Sequence, residues 1–191
     1  MRVVCFILLV WISKGAFAQE EGFPFGKVTY RELDLDKYDK DTAAYAVVLD
    51  EFGEAYFDNG GDHNLIFEYH VKIKILKKKG LALADVEIPL RKSEGRFERV
   101  TNIQGSSFSY QNGSMREFQL DTKNVFTENI NKYWDVKKFA IPQVQVGSVI
   151  EYAYKIETPY FFNFRTWNFQ AAYPKIRSEF WAKIPANYRY N

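Results

Sequence analysis

His63-Asn-Leu-Ile-Phe-Glu-Tyr-His-Val-Lys-Ile-Lys-Ile-Leu76 is the stretch that decides the fold. Leu65, Phe67, Tyr69, Val71, Ile73 and Ile75 fall on one side of an extended chain, and Glu68, His70, Lys72 and Lys74 on the other. Alternation with a period of two, held over so many residues, belongs to a strand and not to a helix. It predicts one face buried in a core and one face in water.

Working outward, residues 43–49 predict a preceding strand with Asp50-Glu-Phe-Gly53 as its turn. Lys77-Lys-Lys79 and Gly80 read as a solvated turn after the central strand. Further strands are expected at 84–91, 97–103, 106–110, 115–120, 131–140, 148–157, 167–173 and 178–184. Asn112-Gly113 tolerates positive φ at both positions and suits a tight hairpin turn. Residues 131–140 and 148–157 are expected to pair antiparallel around 143–147, with Ile150, Tyr152, Tyr154 and Ile156 on one face of the second strand. Gly80, Gly95 and Gly105 read as turns. No apolar 3.6-residue period lasts three turns, and 18% aromatic content favours strands. The fold expected is all-β: an antiparallel β-sandwich forming a single domain over residues 43–191, after a charged, irregular lead-in at 19–42 with one helical turn.

The first 18 residues have the layout of a signal peptide. Arg2 is the positive start, a ten-residue apolar run follows, and Ala16-Phe17-Ala18 is a small-x-small cleavage site. Ser13-Lys14-Gly15 interrupts the run well short of the roughly 20 residues that a membrane-spanning helix needs. No later stretch is long and apolar enough to span as a helix. The expectation is export, to the periplasm or the cell surface. Cys5, the single cysteine, lies within this segment, so residues 19–191 contain no thiol. The net charge of +2 rests on Arg2 and Lys14, and the remaining basic residues balance the 24 acidic ones. That balance argues against a nucleic-acid partner.

The residues also limit the chemistry. Without a thiol in 19–191, cysteine catalysis lacks its first member. His70 lies on the polar strand face, where solvation is the simpler role, and His63 sits in the Gly60-Gly-Asp-His63 loop with no nucleophile elbow nearby. No catalytic residue and no cofactor are assigned. Asp58, Asp62, His63, Glu68 and His70 crowd together, but Glu68 and His70 alone share a strand face, and two ligands do not make a zinc site. No metal is assigned. The aromatic residues Tyr133, Trp134, Tyr160, Phe162 and Trp167 are the candidate binding surface, for a glycan or a peptide. The competing role for the same rings is the sandwich core. Thr158-Pro159 places Tyr160-Phe-Phe-Asn-Phe164 in a loop, which favours exposure there.

Six pieces of sequence, in order, carry a family resemblance. They are residues 44–49, His70-Val-Lys-Ile-Lys-Ile-Leu76 with Lys79-Gly80, Ala140-Ile-Pro142, Gly147-Ser-Val-Ile-Glu-Tyr152 running on to Tyr154, Trp167-Asn-Phe-Gln170, and Pro174 through Ser178-Glu-Phe180 to Ile184-Pro185. Together these resemble the N-terminal domain of unknown function that precedes a transglutaminase-like (papain-type cysteine) domain in exported proteins of Gram-negative bacteria. The resemblance covers residues 40–190. It implies a β-sandwich accessory domain whose partner, in cis or in trans, is the transglutaminase-like domain that carries the catalytic Cys, His and Asp. It also implies further strands past Pro185, so the chain is expected to be truncated at its C-terminus.

Overall fold

The structure is a computed structural model that describes residues 22–58, 60, 64–160, 162 and 164–186. The expected signal peptide with Cys5, together with Asp62, His63, Phe161 and Asn163, lies outside the described residues. The strands are β1 (Ala46–Phe57), β2 (Leu65–Ile75), β3 (Asp85–Ser93), β4 (Arg96–Phe97), β5 (Arg99–Gln111), β6 (Ser114–Gln119), β7 (Phe126–Asn131), β8 (Trp134–Ala140), β9 (Val149–Thr158) and β10 (Glu179–Lys183). They form a six-stranded sheet in the order β10-β1-β2-β9-β5-β6 and a four-stranded sheet in the order β4-β3-β8-β7.

The inner faces pack as the alternation requires. Leu65, Phe67, Val71, Ile73 and Ile75 of β2, with Ile150 and Ile156 of β9, meet Val86, Ile88, Leu90 and Phe139 of the smaller sheet in one buried cluster. The all-β sandwich expected from sequence is the observed architecture. Asn112 and Gly113 both take positive φ, at 51° and 77°, and join β5 to β6 as the expected hairpin. Lys77, Lys78 and Lys79 are exposed, and a 3-10 turn at Lys78–Ala84 leads from them into β3.

Several local expectations are corrected. Asp50-Glu-Phe-Gly53 is not a turn, because β1 runs straight through it and only bulges between Val48 and Asp50. Gly53 is needed for close approach: a Cβ there would overlap the Trp167 ring. The two strands expected at 97–103 and 106–110 are one strand, β5, in which Gly105 lies opposite Tyr152 and the irregularity falls between Thr101 and Gln104. Residues 131–140 and 148–157 do not pair with each other. β9 inserts between β2 and β5, whereas β8 lies between β3 and β7. Their burial explains the separation. Val149, Ile150 and Glu151 are all 0% exposed and need cover on both faces, while β8 is mostly half-buried. No strand forms at 167–173, and β10 runs parallel to β1, so the larger sheet is not wholly antiparallel.

The largest correction concerns the face of β2 that was expected to be wet. Lys72 and Lys74 are 6% and 1% exposed. The expected lead-in covers them. Thr29 and Glu32 form a capping box for α1 (Tyr30–Leu33), an order the Thr-x-x-Glu spacing encodes. Val28 and Leu33 then pack on Phe108 and Val149. Lys72 Nζ donates to the Lys27 carbonyl at 2.7 Å and to Glu32 at 3.2 Å. Lys74 Nζ donates to the carbonyls of Leu33 and Gly147, each at 2.5 Å. His70 is not solvated either. Phe23 stacks on its ring at 3.8 Å and Phe25 at 5.4 Å, and its Nε2 lies 2.8 Å from Glu151. Glu151 also accepts from the Gly26 amide at 3.0 Å.

Lys74→Ala removes the cation that satisfies two carbonyls and leaves a cavity, so a loss of about 2–4 kcal/mol is expected in urea unfolding. Lys78→Ala on the exposed turn should stay within about 0.5 kcal/mol of the parent.

Candidate functional site

On the inner face of the larger sheet, β1 and β2 bring a carboxylate into an aromatic surround. Glu51 lies opposite Val71 in register and is 5% exposed. The Tyr69 hydroxyl donates to its Oε1 at 2.9 Å. Lys175 Nζ and Ser178 Oγ both donate to its Oε2 at 2.6 Å. A buried carboxylate needs this many donors to offset its lost hydration.

These bonds also pin residues 164–178 across the open side of the sandwich. Lys175 Nζ donates to the Asn168 carbonyl at 2.6 Å, and Trp167 Nε1 donates to Ser178 Oγ at 3.1 Å. The Val48 amide donates to the Pro174 carbonyl and the Ile176 amide to the Val48 carbonyl, which fastens the segment to β1. At its other end Arg165 donates to the Pro89 carbonyl of β3 at 2.9 Å and to Glu98 at 2.7 Å.

Between this segment and the sheets lies a cavity of about 500 Å³, with Tyr69, Tyr152, Tyr154, Arg165 and Trp167 among its walls. Tyr69 stacks on Tyr154 at 5.2 Å and meets Trp167 at 5.8 Å, and Trp167 stacks on Phe180 at 5.3 Å. Burial raises all three tyrosines: Tyr154 is pushed up to about 12, and Tyr69 and Tyr152 are also raised. The hydroxyls therefore stay protonated as donors over the whole physiological range.

Tyr133, Trp134 and Tyr160 border the same end of β3, where Trp134 lies opposite Arg91 in register, the Lys92 amide donates to the Tyr133 carbonyl and the Arg91 guanidinium lies over the Tyr160 ring, whereas Trp167 lies apart in the cleft. Tyr133 and Trp134 stand exposed where β7 turns into β8, at 51% and 42%. Tyr160 lies beneath the guanidinium groups of Arg91 and Arg96, and its hydroxyl donates to the Arg96 carbonyl at 2.8 Å. Phe162 is 77% exposed. Trp167 is walled into the cleft. Among the described residues, no ring contact joins Tyr133 or Trp134 to Tyr160 or Trp167. Glu68 and His70 have separate partners on the outer face, since Glu68 accepts from the Tyr56 hydroxyl and His70 faces Glu151. The residues that do converge, Glu51, Lys175 and Ser178, were not singled out by sequence. Tyr69, Tyr152 and Tyr154 carried one usable signal, their inward places in two alternating strands.

Comparison with known proteins gives one family. The model described as a domain of unknown function with a solved structure, DUF3857, matches residues 61–191. No curated protein matches the chain. A solved structure of a candidate protease from Parabacteroides distasonis is similar over 60% of this chain and 23% of that chain, at 9% identity and a TM-score of 0.44. This chain therefore spans less than a quarter of the length of that protein.

Two outcomes follow from the Glu51 cluster. Glu51→Gln breaks a buried ion pair, so a loss of about 3–5 kcal/mol is expected in urea unfolding, with faster proteolytic cleavage within 164–175. The pH dependence is set by opposite signs. Lys74 is pushed down to about 8 by burial, so the unfolded chain holds its proton more tightly and stability rises with pH from about 8 toward 10.5. The tyrosines have folded values above 10.0, so the unfolded chain sheds their protons first and stability falls above that pH. The urea midpoint should rise slightly and then drop, and Tyr154→Phe should flatten the drop.

Proposed function

Because the chain belongs to the DUF3857 family, a domain family of unknown function, we propose that it acts as a non-catalytic accessory module that packs on, or presents ligand to, a transglutaminase-like domain outside this chain. In this reading Met1–Ala18 directs export to the periplasm or the cell surface, and the chemistry belongs to the partner.

One observation supports this reading above the others. Apolar side chains stand exposed on either side of an open edge strand. Ile176 and Ile184 are 55% and 43% exposed. They flank β10, the outermost strand of the larger sheet, whose second edge has no strand partner among the described residues. Exposed apolar side chains beside an unpaired sheet edge make a surface that another chain can cover. The absence of a thiol from residues 19–191 agrees with a supporting role beside a cysteine enzyme. A second reading, a free-standing glycan- or peptide-binding module, draws on the exposure of Tyr133 and Trp134 side by side on the β7–β8 turn.

Limited proteolysis of the chain alone and with an added transglutaminase-like domain separates the two. Packing predicts that cleavage in 164–186 slows with the domain present, and that the paired change Ile176→Asp and Ile184→Asp removes the protection. Equal cleavage rates with and without the domain would sink the packing role.

A further inference from the structure

The cleft that Glu51 closes is not filled. Its volume of about 500 Å³ falls within the range of pockets that hold small ligands. Its walls are aromatic and hydroxylic, and Asn168 and Gln170 contribute amides from the covering segment. The charges at its margin are already matched. Lys175 lies 2.6 Å from Glu51, Arg165 2.7 Å from Glu98, and Lys138 2.9 Å from Glu87. A charged ligand would therefore give up its hydration without gaining a counter-ion. A wholly apolar ligand would strand the hydroxyls and amides. Tyr154 and Tyr173 line this space, and neither hydroxyl makes a hydrogen bond to a described residue.

Ring surfaces together with unused hydroxyl and amide groups, around a hollow without net charge, match a ligand that carries hydroxyls on an uncharged C–H framework. We infer that the cleft between β2, β9 and residues 164–175 binds an uncharged saccharide, with the Tyr154 hydroxyl donating to a sugar oxygen and Trp167, Asn168 and Gln170 forming the opposite wall. This site is separate from the apolar positions beside β10. Ile176 and Ile184 do not line the cavity, so partner docking and saccharide binding succeed or fail independently.

The test is calorimetric and fluorescence titration of the chain with N,N′-diacetylchitobiose, cellobiose and maltose, alongside an acetylated, amidated tetra-alanine peptide. The expected result is saturable binding of at least one disaccharide, weakened about tenfold in Tyr154→Phe by the loss of one hydrogen bond. Trp134→Ala, on the exposed turn, should bind as the parent does. Tyr154→Phe keeps the ring that packs on Tyr69, and a melting curve checks its fold. Gln170→Ala, on an exposed position of the covering segment, is the second variant and should also weaken binding. No saturable binding of any of the three sugars overturns the inference. So does binding that survives both cleft variants, or is lost in Trp134→Ala. Binding of the peptide in place of the sugars would make the cleft a peptide site and overturn it equally.

Discussion

β2 lies inside the larger sheet with layers on both faces, and this places two lysines where water cannot reach them. An ammonium group in such a place must find oxygen partners or give up its proton. Lys72 and Lys74 find theirs on the N-terminal segment, in the carbonyls of Lys27 and Leu33 and the carboxylate of Glu32. Residues 22–45 are therefore a third layer of the domain. His70 extends the same row, held between Phe23 and Glu151. Three alternate positions of one strand dock one segment of chain.

The inner face follows the same rule with the sign reversed. Glu51 is a buried anion, and its donors come from β2 and from residues 175 and 178. Satisfying it draws the C-terminal segment over the open side of the sandwich and brings Trp167 down onto Gly53. Glu151 does for the N-terminal layer what Glu51 does for this one. Each acid fixes a segment that carries no long secondary structure of its own. The cleft is the space left when a segment is held at its ends by Arg165 and Lys175 and is not filled beneath by side chains.

Part of this was legible in the residues. β2 and β9 were found because alternation over many positions is hard to produce any other way. The Asn112-Gly113 hairpin was found because positive φ selects those residues. The inward places of Tyr69, Tyr152 and Tyr154 followed from the same alternation. The errors have physical causes. Asp50-Glu-Phe-Gly53 has the composition of a turn, but its glycine makes room for an indole and its glutamate is the buried hub. The aromatic density of residues 167–173 resembles strand propensity, yet Trp167 and Tyr173 pack against the core from a segment without strand structure, and Phe169 is exposed. The lysines of β2 looked wet because a charged residue is normally solvated, and the segment that covers them lies some forty residues earlier in the chain.

Local chemistry along the chain determined the all-β class, the two central strands and which of their residues face the core, because strand period and turn preference act between near neighbours. That residues 19–191 hold no thiol was also set there, since Cys5 is the single cysteine. Only the tertiary structure decided that β9 joins β2 and not β8, that β10 runs parallel to β1, and that Glu51 meets Lys175 across 124 residues. Such pairings depend on which buried charge can reach which partner once the sheets have packed, and that demand has no periodic trace in the sequence.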